Sequence, residues 1–90
     1  MPQPPPKAAL RRALTLCLRN LRHARGISQE RLAWAAEIDR AYMSGLERGR
    51  HSPTLEMVYR LLAGLEVSFT QFATEFERCL KRARRIDENG

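Results

Sequence analysis

Arg40, Ala41 and Ser44 stand on a short helical stretch, and Arg48, Arg50, His51 and Ser52 follow directly behind it. Guanidinium, hydroxyl and imidazole groups in such a cluster donate hydrogen bonds to anions and to the acceptor edges of ring systems. They make a surface for recognition and not for bond-breaking. No nucleophile has a paired base, no glycine-rich phosphate loop occurs, and no cluster has metal-ligand spacing, so neither an enzyme, a metal nor a cofactor is expected. A zinc site would have to recruit His23 or His51 to the distant Cys17 and Cys79. Sixteen basic against 10 acidic residues leave a net charge of +6, which favours a polyanion: nucleic acid or an anionic membrane surface. Charge alone does not choose between them.

The elements that must position these residues are all helical. Leu10, Leu14, Cys17, Leu18 and Leu21 recur at helical spacing from about Ala8, and Gly26 ends that first helix. Ser28 caps a second helix from Gln29 to about Ala36, with Leu32, Ala33 and Ala36 inward. Asp39 caps a third from Arg40 to about Arg48, closed by Gly49, with Ile38, Tyr42, Met43 and Leu46 on its apolar side. A fourth begins near Thr54 and carries Leu55, Val58, Leu61, Leu62 and Leu65. A fifth places Phe69, Phe72, Ala73, Phe76, Leu80 and Ala83 on one stripe. No sustained alternation or hairpin turn signals a strand. The fold class read from this pattern is all-α, five helices. Its segments are a flexible proline-rich tail over 1–8, a helical domain over 9–66, an amphipathic helix over 67–85 and a flexible tail over 86–90.

Two short helices joined as tightly as the second and third must cross steeply, with a small residue such as Ala33 at the contact. The third then presents its N-terminal half outward at a width that fits a DNA major groove. The run Leu21-Arg-His-Ala-Arg-Gly-Ile-Ser-Gln29, Leu32-Ala33, Leu46-Glu-Arg-Gly49, Ser52-Pro-Thr54 and Leu62 to Phe69 resembles the Cro and phage-repressor (XRE-like) helix-turn-helix family. Small stand-alone members of that family include the restriction-modification controller proteins. The resemblance implies a sequence-specific transcriptional regulator, a repressor or autoregulator, acting on double-stranded DNA in a bacterial or phage-like cytoplasm. Two departures stand out: Glu37 where the family often has a turn glycine, and Gly45 where it often has a base-reaching side chain.

Within that resemblance Arg40, Ala41 and Ser44 are the candidate base readers: Arg40 on guanine, Ala41 on a thymine methyl. The alternative for Arg40 is a phosphate. Gln29, Tyr42, Arg48, Arg50, His51 and Ser52 are candidate phosphate contacts, against the alternatives of a polar first-turn residue for Gln29 and a solvated charge cluster for the loop. Arg22 and Glu47 are expected to form a structural ion pair. Phe69, Phe72, Phe76 and Leu80 either cap the core or form a homodimer interface, as in family members of this size. Trp34 either packs on its own helix or the tail, or meets a partner protein. The second functional reading is therefore an antitoxin or protein-binding adaptor. Lys81 to Arg85 either solvates the helix end or adds non-specific attraction for DNA.

Cys17 and Cys79 sit at hydrophobic positions and read as buried thiols in a reducing compartment. No apolar run approaches the ~20 residues of a membrane span. Pro2, Pro4, Pro5 and Pro6, with Arg11 and Arg12 breaking the apolar stretch, are unlike a signal peptide.

Overall fold

The computed structural model describes residues 3–89, with side chains through Arg85; Met1, Pro2 and Gly90 of the expected tails lie outside this range. Five helices follow one another: α1 (Lys7–Arg25), α2 (Gln29–Ala36), α3 (Arg40–Glu47), α4 (Leu55–Leu65) and α5 (Phe69–Asn89). The fold is all-α, and no strand occurs among the described residues.

Local chemistry sets the boundaries. Pro6, fixed in an extended conformation, opens α1 at Lys7, inside the stretch read as a tail. Gly26 closes it in the left-handed region (φ 68°), with its N–H on the His23 carbonyl and that of Ile27 on Arg22. The Ser28 hydroxyl accepts from the Arg31 N–H at 3.0 Å, and Thr54 from Met57 at 3.1 Å, so α2 and α4 start on true side-chain caps. Asp39 occupies the corresponding place before α3 but makes no capping hydrogen bond. Ser68 and Gln71 cap each other reciprocally (2.9 and 3.1 Å), which starts α5 at Phe69 rather than at residue 67. At its other end α5 runs four residues past Arg85, to Asn89.

Leu18, Leu32, Met43, Leu46, Leu61 and Leu65 are fully buried together and form the centre of the core. Removing most of one such side chain costs about 2–5 kcal/mol. α2 crosses α3 on one side and lies against α4 on the other. Gly64 permits the second approach: a Cβ there would meet Leu32 and Ala35 side chains at 3.0 and 3.2 Å. α5 packs chiefly on α1, where Ala9, Ala13 and Cys17 of one helix and Cys79 and Ala83 of the other are all buried. Phe72 belongs to the core as well (8% exposed), the core-capping alternative of the two expected for its ring. Its carbonyl faces Cys17 across the helix pair.

Candidate nucleic-acid interface

α3 is placed by its C-terminal end. Glu47 is the one charged residue found buried among the described residues, and its side chain is fully enclosed. The Arg22 guanidinium on α1 grips both carboxylate oxygens, Nε at 2.6 Å and Nη2 at 2.9 Å. Gln29 Nε2, in the first turn of α2, donates to the same carboxylate at 3.0 Å. Arg22 Nη1 also donates to the Ile27 carbonyl at 2.9 Å, tying in the α1–α2 turn. Burial alone would raise the carboxyl pKa of Glu47; the hydrogen bonds from Arg22 and Gln29, with the charges of Arg22 and Arg19, outweigh it and hold the pKa below the ordinary 4.5. The expected Arg22–Glu47 pair is therefore present. Gln29, expected at a phosphate, has one amide proton committed inward.

The turn between α2 and α3 carries its departure from glycine openly. Glu37 sits in the left-handed region at φ 57°, a conformation costing a non-glycine residue about 1 kcal/mol. Arg60 from α4 steadies it, donating Nε to the Ala36 carbonyl at 3.0 Å and Nη2 to that of Glu37. Nothing in the sequence pointed to Arg60, because the partners lie 23 and 24 residues away.

The N-terminal end of α3 is open. Arg40 is 70% exposed, and its guanidinium stands 3.6 Å from the Glu30 carboxylate. Ala41 is exposed and Ser44 half-buried. Gly49 turns the chain at φ 75°, and the Arg50 N–H returns to the Gly45 carbonyl at 2.9 Å. His51 does not extend from this loop. Its ring stacks on Tyr42, with centroids 4.7 Å apart and planes at 12°. Arg48 and Arg50 are exposed beside it, and Ser52 accepts from Arg11 Nε at 3.1 Å. Arg11 thus joins the candidate site from α1, a contact spanning 41 residues that local pattern could not reveal.

Away from this face, Leu55, Tyr59 and Phe69 are exposed, and the Tyr59 and Phe69 rings stack at 5.3 Å. Phe76 and Leu80, expected with Phe69 at a dimer interface, are half-buried against the core. Trp34 is 83% exposed. Lys81, Arg82, Arg84 and Arg85 are exposed around the buried Ala83. Cys17 and Cys79 are buried free thiols, and burial pushes the Cys17 pKa up to about 12. Among the described residues no group of side chains could hold a metal ion, and no helix is long and apolar enough to cross a membrane.

Comparison with known proteins fits this geometry. The family model for a helix-turn-helix domain matches residues 13–74. The HTH-type transcriptional regulator SutR of Escherichia coli is 38% identical over 63 residues, which cover 70% of this chain and 35% of SutR. The uncharacterized HTH-type transcriptional regulator y4dJ of Sinorhizobium fredii is 37% identical over 54 residues, 60% of this chain and 70% of the relative. The chain therefore spans about a third of the first of these relatives and over two thirds of the second. Among solved structures, the wild-type restriction-modification controller protein C.Esp1396I superposes with a TM-score of 0.76 at 30% identity, over 79% of this chain and 93% of that one. The same controller protein has been solved as a tetramer in complex with its natural 35 base-pair operator.

Proposed function

The chain belongs to the helix-turn-helix family of DNA-binding transcriptional regulators, and from that premise we propose that it is a sequence-specific regulator, a repressor or autoregulator, working as a homodimer. The observation that carries this reading is the asymmetry of α3: its C-terminal end is fastened by Glu47, and its N-terminal turns are left open. Arg40 donates to guanine, Ala41 meets a thymine methyl and Ser44 a base or phosphate. Gln29, through the rest of its amide, and Tyr42, Arg48, Arg50 and Ser52 hold the phosphate backbone and set the register.

One copy reads few base pairs, so a second is needed. Leu55, Tyr59 and Phe69 supply the exposed apolar surface for it; Phe72 is already used inside the core. A two-fold pair sets the recognition helices ~34 Å apart, one turn of DNA. The exposed Trp34 supports a second reading, contact with a partner protein through α2.

Selection from random duplex DNA tests the regulator reading. The expected result is an enriched inverted repeat with half-site centres about 10 base pairs apart. Binding that follows only a counterion-release salt slope, with no sequence enriched, overturns it. Sedimentation at tens of micromolar tests the pairing: a dimer for the wild type and a monomer for Tyr59→Glu are expected, and a monomeric wild type defeats the dimer.

A further inference from the structure

Gly45 stands four residues after the exposed Ala41 and three before the exposed Arg48, positions that share one face of a helix. Met43, Leu46 and Glu47 are buried on the other side. Gly45 nevertheless is buried, and the reason is His51. A Cβ built on Gly45 would lie 2.5 Å from His51 Nε2 and 2.6 Å from Cδ2, closer than real side chains approach. The imidazole rests edge-on against the bare helix backbone in the space that a side chain at position 45 would occupy.

Two further contacts fix it there. Tyr42 lies nearly parallel to the ring at 4.7 Å, and the loop itself is anchored by the Arg50 N–H on the Gly45 carbonyl. Glycine in mid-helix costs about 1 kcal/mol relative to alanine, and seating this ring is what the residue provides in return. His51 remains exposed on its outer side, with the edge bearing Nδ1 turned away from Gly45.

We propose that His51 is a base-reading residue: it takes the place on the recognition face that Gly45 leaves vacant and donates a ring N–H to the acceptor edge of a purine, N7 or guanine O6. The residue therefore belongs with Arg40, Ala41 and Ser44, and not with the phosphate-holding loop arginines around it. This inference rests on the reading of α3 as a major-groove helix.

Selection from random duplex DNA, run on the full chain and three variants, separates the two. His51→Ala is expected to lose about tenfold preference at one base pair of each half-site while the other positions stay selected. Gly45→Ala, which favours the helix and whose fold is checked by its melting temperature, is expected to lose preference at the same base pair, because its methyl evicts the ring. The double variant is expected to be no worse than either single one. If His51→Ala weakens all sequences equally and lowers the salt slope by about one, the residue holds a phosphate and the proposal falls. Additive losses in the double variant, or an unchanged selected sequence, also overturn it. A wild type that enriches no sequence overturns this proposal together with the regulator reading.

Discussion

At its C-terminal end α3 is held by a carboxylate with no solvent exposure, bonded to two other helices within 2.6–3.0 Å. At its N-terminal end the corresponding charge, Arg40, is mostly in water and meets Glu30 only at 3.6 Å. These are eight residues of one helix under opposite physical regimes. A buried pair is costly to break because the survivor is left desolvated, whereas an exposed pair contributes about 0–1 kcal/mol and exchanges readily for another partner. Positional accuracy is thus generated at the buried end. Availability is kept at the end proposed to meet DNA.

The largest effect expected from this contrast is at Glu47. Glu47→Ala strands Arg22 and should cost about 3–5 kcal/mol, lowering the thermal midpoint by more than ten degrees. DNA binding would fall with it as the domain unfolds. A midpoint unchanged from the wild type would remove the contrast altogether.

Acid should erode the same end next. The folded-state pKa of Glu47 lies below its unfolded value, so its contribution is complete above pH 4.5 and is lost as pH falls through the folded value. Glu75 is shifted in the same direction: burial would raise it, but hydrogen bonds from Asn20 and Arg78 prevail. Comparison with Glu47→Gln therefore isolates the Glu47 share, and the wild type should lose stability more steeply below pH 4.5 than this variant. Parallel melting profiles for the two would refute the assignment.

Arg40→Ala should behave in the reverse sense. Its melting curve stays within about 0.5 kcal/mol of the wild type, as for ordinary surface changes, while discrimination at one operator base pair drops by about 1–3 kcal/mol. Competition binding with single-base operator variants reads this directly, and a uniform loss across all variants would place Arg40 on the backbone. The smallest effect concerns the turn joining α2 to the open end. Glu37→Gly relieves the left-handed strain and should add about 1 kcal/mol, since the Arg60 bonds go to main-chain carbonyls that glycine retains. A fall in the midpoint would show that the exposed Glu37 carboxylate, 3.9 Å from Arg60, matters more than its solvation suggests.

Much of this was legible in the residue pattern. Gly26 and Ser28 mark the α1–α2 turn by conformation and capping chemistry that depend on a few adjacent residues. The Arg22–Glu47 pair could be anticipated only through the family resemblance, as its partners are 25 residues apart. What stayed hidden depends on which surfaces meet. Periodicity put Phe72 on the same stripe as Phe69 but could not say that one ring is buried in the core and the other left exposed beside Tyr59. Gly45 looked like a missing reader because its occupant arrives from a loop. Asp39 shows the converse: a residue of the right type at the capping place whose side chain makes no cap.

The seam between α1 and α5 has a consequence for how the chain is made. Asn20 bonds Glu75 across 55 residues, and α1, with Ala9 and Ala13 buried, packs chiefly on α5. On the ribosome α1 emerges before α5 and must wait, its small-residue face uncovered, until translation has passed Ala83. The elements that would face DNA are complete by Ser52, yet the helix that anchors them through Arg22 is still unsupported. Closing so long a loop is also among the slower steps open to a helical domain. A nascent chain stalled before α5 would thus carry the whole of its proposed reading surface on a scaffold that has not yet set.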